Sequence, residues 1–269
     1  MQPIECNGAS AGGRPAAAGP VQEILKGVDG VRSVRPAGTS SDGLTSWSVV
    51  LAAPPGTDAA TGTIRAVRDA LRAVPDAQAL VGGADAEALD QADGASRDLK
   101  VVAPLILLVV FVVLIALLRA LVAPLLLMAS TVLSALAAIG AGSWISDHIA
   151  GFPALDDGVP LFAFLFLVAL GVDYTIFLVT RAREENVTHD TRESMVRAVS
   201  ATGAVITSAG VVLAAVFAVL GVLPLIVLTQ LGIVVGLGIL LDTFLVRTVV
   251  IPALWSLVGA KVWWPSALG

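Results

Sequence analysis

The 269 residues carry 16 Lys and Arg against 21 Asp and Glu, a net charge of −5, and are 57% hydrophobic but only 14% charged. Soluble domains average roughly 45 to 50% apolar and 25% charged residues, so an ordinary cytosolic globule is excluded. Most of the charge lies in residues 1–100, and from Val101 onward long apolar runs alternate with short polar breaks. An aqueous portion therefore precedes a membrane-embedded one.

At the front, residues 9–20 (ASAGGRPAAAGP) are small, rich in Gly and Pro, and without period, which reads as a disordered leader over residues 1–20. Gly8-Ala9-Ser10-Ala11-Gly12 matches a nucleophile-elbow pattern, but no strand is predicted before it, and no enzymatic role is assigned. Cys6 is the single cysteine, and with His148 and His189 expected on opposite sides of a membrane no metal cluster is predicted. A Walker A loop is absent from the sequence and no cofactor is expected.

Val21–Val28 suits a short helix, Val31–Pro36 and Ser46–Ala53 two strands, Asp58–Val74 a helix and Ala77–Val81 a strand. In the longer helix Ile64, Val67 and Leu71 recur at three and four residues, with Arg65, Arg68, Asp69 and Arg72 on the other faces. The order is that of a split βαβ, ferredoxin-like unit without its central first strand, for which Met1–Gly8 is a poor replacement. Ala84–Lys100 is acidic, helical in pattern, and runs straight into the first apolar stretch.

About 20 apolar residues cross a hydrocarbon core of roughly 30 Å, which gives five spans near 101–118, 121–145, 159–180, 201–223 and 226–254. Arg119, Arg181, Arg183, Arg192, Arg197, Arg247 and Lys261 gather at one set of ends, whereas the loops 146–158 and 222–230 hold no Lys or Arg. The basic ends are therefore expected in the cytoplasm, with residues 1–100 outside and the C-terminus inside. An outer domain needs a signal peptide or a preceding helix, and Met1–Pro20 has no apolar core for one, so the chain reads as truncated at its front.

Asp173 is the most informative residue. It interrupts the otherwise uncharged stretch from Val159 to Thr180, where a carboxylate costs roughly 2.5 to 3.5 kcal/mol and so asks for a function. Burial raises a carboxylate's affinity for a proton, a Tyr174 hydroxyl can tune it, and Thr175, Thr180, Thr207 and Ser208 can extend a polar lining. The bland alternative is a buried polar tie between helices.

Asp242 is the second intramembrane acid. Arg247 follows five residues later, off its helix face, which argues against a direct pair and favours a structural tie from Asp242 to Arg181 or Arg183. Ser200, Gly203, Thr207, Gly210, Ala214, Phe217 and Gly221 give the fourth span a small packing face. Gly232 and Gly236 do the same in the fifth, and Ser130, Ser134, Ala137 and Ala141 in the second. Val101–Leu118 suits lipid. Asp156 and Asp157 read as a solvated turn, and Trp263 and Trp264 beside Lys261 as an interfacial anchor.

Three stretches carry a family resemblance: ALGVDYTIFLVTRAREE from Ala169, VITSAGVVLAAVFAVL from Val205, and LGILLDTFLVRTVVIPALWSLVGAKVWWPS from Leu237. Over roughly residues 20–266 the chain resembles the C-terminal half of MMPL-type transporters of the RND superfamily. The resemblance implies an α-helical membrane protein in which five transmembrane helices at 100–258 follow a partial ferredoxin-like α/β porter subdomain at 21–99, with a cytoplasmic tail at 259–269. It implies proton-driven export of lipids or other hydrophobic compounds across a bacterial plasma membrane, with Asp173 and Tyr174 as proton relay; Asp242, Thr207 and Ser208 stand beside them as secondary polar groups on the residues alone. In complete members each Asp-Tyr pair faces one from the other half, so a complementary N-terminal half or self-association is expected, and no nucleic-acid partner. The competing expectation is a non-transporting fragment or accessory subunit in which Asp173 is structural.

Overall fold

The computed structural model describes residues 8–13, 18–39, 45–74, 79–152 and 154–265. The chain forms two compact units that meet in sequence at Gly94.

The first unit runs β1 (Gly8–Gly13), α1 (Ala18–Gly27), β2 (Val31–Thr39), β3 (Thr45–Leu51), α2 (Asp58–Arg72) and β4 (Leu80–Gly82), followed by the first turns of α3 (Ala84–Leu118). Its strands pair antiparallel in the order β2-β3-β1-β4. Along β3 the side chains alternate as a pleat requires, with Trp47, Val49 and Leu51 buried and Ser46, Ser48 and Val50 only half-buried. Against them α2 lays Ile64, Val67 and Leu71, the predicted apolar stripe, and the core is completed by Val21, Leu25, Ala86 and Leu89. Thr57 caps α2 by accepting from the Ala60 amide at 3.3 Å.

The expectation of a structureless leader is corrected at Gly8–Gly13, which forms an inner strand of the sheet, between β3 and β4. Six Gly, Ala and Ser residues carry no strand propensity, but a central strand bonds to neighbours on both edges, and that context outweighs propensity. The α1 helix likewise begins at Ala18, inside the expected leader. The expected strand at Ala77–Val81 appears as Leu80–Gly82; residues 75–78 lie outside the described ones.

Two ion pairs tie α2 to the first turns of α3: Arg65 to Asp93 at 2.7 Å and Arg68 to Asp90 at 2.5 Å. The Arg68 guanidinium holds the exposed Asp90 carboxyl below the usual carboxylate range through its hydrogen bonds.

The second unit is a helical bundle in which, among the described residues, five helices are long and apolar enough to cross a membrane, matching the expected spans in number and position. They are α3, α4 (Val122–His148), α5 (Val159–Glu185), α6 (Thr191–Leu220), and a composite fifth. The fifth begins as α7 (Ile226–Leu241), widens into a π-helical segment (Asp242–Val250), continues as α8 (Ile251–Val258) and ends in a 3₁₀ turn (Gly259–Trp263). As predicted, α3 runs unbroken from the acidic stretch into the first apolar run, where Leu105, Leu108, Val109, Val112 and Val113 are exposed.

Small residues set the helix approaches, as expected in a medium where apolar burial does not drive association. A Cβ built on Gly232 would lie 2.6 Å from the Phe217 carbonyl oxygen, and one on Gly236 would lie 3.7 Å from that of Ala214, so the predicted Gly232/Gly236 pair does mark a close contact. In α4 the packed face is Ser130, Thr131, Ala135, Ala138 and Gly142, which includes the predicted Ser130 but lies one residue round from the predicted Ser134, Ala137 and Ala141. Gly232→Val should therefore destabilise the bundle by about 1 to 3 kcal/mol through overpacking, whereas Gly140→Ala, which meets open space, should be near neutral. Unfolding midpoints in detergent check both.

At the end away from the arginines, the fully buried Gln230 donates from Nε2 to the Ala154 carbonyl at 2.7 Å and accepts at Oε1 from the Asp156 amide at 2.9 Å. Asp156 in turn accepts from the Gly158 amide at 3.0 Å, ordering the entry to α5. The carboxylate is thus part of an ordered turn. At the other end Gly259, at φ 62°, turns the chain back so that Val262 and Trp263 bury against Leu118, Ala120 and Trp255. The Trp264 carbonyl accepts from the Leu121 amide at 2.8 Å. This corrects the reading of both tryptophans as an interfacial anchor, since only the Trp264 side chain is exposed.

Candidate functional site

The polar centre of the bundle forms where α5 crosses the π-helical segment. In an α-helix, residues five apart point about 140° from each other, and Asp242 and Arg247 could not meet. In the π-helical segment an N–H bonds five residues back, as the Ile251 amide does to the Val246 carbonyl, and the wider turn brings a residue five positions on much nearer its predecessor's face. Pro252 lies at the segment's end, where it lacks the amide that would return to the Thr248 carbonyl in an α-helix. The wider turn is the local reason that Asp242 and Arg247 pair.

That pairing overturns the expected tie of Asp242 to Arg181 or Arg183. Arg181 is occupied by Glu184 at 2.8 Å and Glu185 at 2.6 Å, and Arg183 donates to the Leu117 carbonyl at 3.2 Å. Arg247, 3% exposed, gives its Nη2 both to the Asp242 carboxylate and to the Gly171 carbonyl of α5, the latter at 3.0 Å. Its guanidinium carbon stands 4.9 Å from the centre of the Tyr174 ring, a cation–π contact. Leu167, Leu170, Leu213, Ile239 and Thr243 line the cleft around Asp242, Tyr174 and Arg247.

Asp173 and Tyr174 therefore do different things. Successive helix residues point about 100° apart, so the half-buried Tyr174 reaches Arg247 while Asp173 lies exposed on α5. Among the described residues the Asp173 carboxylate has no ion-pair or hydrogen-bond partner.

The secondary polar groups divide as well. Thr207 donates to the Gly203 carbonyl at 2.8 Å and lines a second cleft with Thr202, Thr243, Arg247 and Thr248. Ser208 donates to the Val205 carbonyl at 3.0 Å from an exposed face and joins neither cleft. Thr180 donates to the Ile176 carbonyl at 2.8 Å, and the buried Thr175 lies with apolar neighbours including Leu114, Leu127 and Val168. Arg247 was the residue that sequence reasoning left out of the site. The signal was a repeat at five residues, Asp242 with Arg247 and Thr243 with Thr248, just before Pro252.

The chemistry is that of a buried carboxylate–guanidinium pair in contact with a tyrosine ring, with the Asp173 carboxylate, unpartnered among the described residues, at the position before that tyrosine on α5. Among the described residues no group of His, Cys, Asp or Glu could hold a metal ion.

The MMPL family matches residues 13–268. SCO0839 of Streptomyces coelicolor is 45% identical over 260 residues, covering 93% of this chain and 37% of that protein. The apo-petrobactin exporter of Bacillus anthracis is 41% identical over 191 residues, 71% of this chain and 26% of that protein. The sulfolipid-1 exporter MmpL8 of Mycobacterium tuberculosis is 38% identical over 261 residues, 91% of this chain and 23% of that protein. The chain thus spans between 23% and 37% of the length of these relatives.

Proposed function

The chain belongs to the MMPL family, and from that premise we propose that this multi-pass membrane protein is half of a proton-driven exporter of lipids or other hydrophobic compounds. Relatives named as exporters of sulfolipid-1 and of apo-petrobactin support export rather than enzymatic turnover. The observation that carries the proton coupling is the Asp242–Arg247–Tyr174 centre beside Asp173, ionisable groups within helices long and apolar enough to span a bilayer. Asp173 takes up and releases the proton. Tyr174, anchored by Arg247, passes each change of charge to the π-helical segment, and the bundle shifts between packings that tolerate a charged or a neutral carboxyl.

The element order of the first unit, with strands ordered β2-β3-β1-β4, supports reading it as a ferredoxin-like porter subdomain on the outer side. Arginines at one end of the spans support a cytoplasmic C-terminus in a bacterial plasma membrane. An exposed carboxylate would be costly against hydrocarbon, so Asp173 supports a complementary set of helices, from an N-terminal half or a second copy, covering that face.

In vesicles holding the protein with its complementary helices, export of an amphiphilic cargo should follow an imposed pH gradient and stop when a protonophore collapses it. Export that persists unchanged without the gradient would leave the reading of Asp173 as a structural residue.

A further inference from the structure

We propose that the corner where α3 ends, α4 begins and the C-terminal turn folds back is a binding site for the phosphate of an anionic lipid. The site goes beyond the export reading and requires only that the chain is a multi-pass membrane protein.

Several cations at the arginine-rich end already have a carboxylate: Arg181 pairs with Glu184 and Glu185, Arg197 with Glu193 and Arg247 with Asp242. Arg119, Arg183 and Lys261 have none among the described residues, and the fold gathers them at one place. From α5, the half-buried Arg183 gives Nη1 to the Leu117 carbonyl in the last turn of α3 at 3.2 Å. On the other side the Leu121 amide donates to the Trp264 carbonyl at 2.8 Å, and the Trp264 amide to that of Lys261 at 3.1 Å. Arg119 lies midway between Leu117 and Leu121, two residues from each and so within about 8 Å of both along the chain. The negative end of α3 and the positive end of α4 meet here and largely cancel, which leaves the three side-chain charges unmet.

Two further observations point to an anion that comes from the membrane. Arg119 is exposed and adopts φ 49°, a left-handed conformation that a Cβ disfavours and glycine takes freely. A cation held at a position suited to glycine is held there for its side chain. Around it Leu117, Leu121, Leu125 and the Trp264 side chain are exposed, and an indole beside apolar side chains at the end of a membrane span is the pattern of the headgroup boundary. Acyl chains can lie on the leucines while the phosphate meets the cations. A zwitterionic lipid brings its own ammonium and leaves the cluster in excess, so the site selects a lipid of net negative charge.

The test titrates the full chain in a neutral detergent with phosphatidylglycerol, with phosphatidylcholine of the same acyl chains, or with inorganic phosphate. Bound lipid is read by native mass spectrometry and stability by the unfolding midpoint. Phosphatidylglycerol should bind at least about tenfold more tightly than phosphatidylcholine and raise the midpoint. Equal binding of the two lipids overturns the proposal. A midpoint raised as far by inorganic phosphate as by phosphatidylglycerol also overturns it, in favour of a soluble anion.

Variants locate the site. Arg119→Gly, Arg183→Gln and Lys261→Gln should each weaken phosphatidylglycerol binding about fivefold, and the three together about a hundredfold. Arg192→Gln removes the same charge from an exposed cation on the first turn of α6 and should change binding by less than about twofold. An equal loss from Arg192→Gln would mean diffuse surface charge in place of a site. Because Arg119→Gly also relieves the left-handed turn, its midpoint without lipid should hold or rise while its lipid affinity falls. A midpoint that drops with lipid affinity unchanged would assign Arg119 to the fold alone and remove it from the site.

Discussion

Arg247→Met should destabilise the bundle by about 3 to 5 kcal/mol, because it leaves the Asp242 carboxylate in the interior without its counter-charge. The effect is larger than the loss of one hydrogen bond. The same side chain anchors the Gly171 carbonyl of α5 and stands against the Tyr174 ring, so two contacts between α5 and the π-helical segment are lost together with the ion pair. The double variant Asp242→Leu/Arg247→Met should recover most of the stability, since replacing a buried pair by apolar residues of similar size is often neutral or stabilising. Unfolding curves in detergent for the three proteins form the comparison. A single variant no less stable than the double would mean that the pair is not desolvated.

The double variant separates stability from function. If the pair serves only to tie helices, the apolar replacement should export cargo normally once folded. If it carries the charge response of Tyr174, export should fall to background in a protein of restored stability.

Asp173→Asn should have the opposite profile. The carboxylate is exposed and has no partner among the described residues, so an isosteric amide should change the stability of the isolated chain by no more than about 0.5 kcal/mol. Gradient-driven export should nevertheless drop to the level seen with the pH gradient collapsed, because an amide neither takes up nor releases a proton in the working range. Asp173→Glu, which keeps the titrating group, should retain part of the activity. Export by Asp173→Asn equal to that of the parent would remove the relay.

Much of the architecture was legible because a bilayer imposes length and composition with little dependence on context. Runs such as Val101–Leu118 and Val159–Thr180 could only be spans, and the Ile64, Val67, Leu71 stripe could only be a helix lying on a sheet. Asp173 stood out for the same reason, as a carboxylate amid apolar residues, whereas Tyr174 stood out only through its place beside Asp173 in the family motif. What the one-dimensional pattern missed was pairing. The Gly8–Gly13 strand has no side-chain signal, and it exists because β3 and β4 flank it.

The Asp242–Arg247 contact was hidden by an assumption about helix pitch. Five residues separate them on any helix, but only the wider π-helical turn brings them together, and the pattern of apolar residues there is compatible with either pitch.

Composition and periodicity alone thus determine that this is a multi-pass membrane protein with five helices among the described residues long and apolar enough to cross a bilayer, one of them carrying an acid near its middle, since hydrocarbon selects residues one at a time. Folding in three dimensions decided which groups that acid's neighbours touch. Tyr174 meets Arg247 rather than Asp173, Asp242 meets Arg247 rather than Arg181, and Thr207 faces a cleft while Ser208 does not. Those outcomes depend on helix pitch and on rotations of about 100° per residue, which are set by how neighbouring helices pack and not by the identity of any single residue.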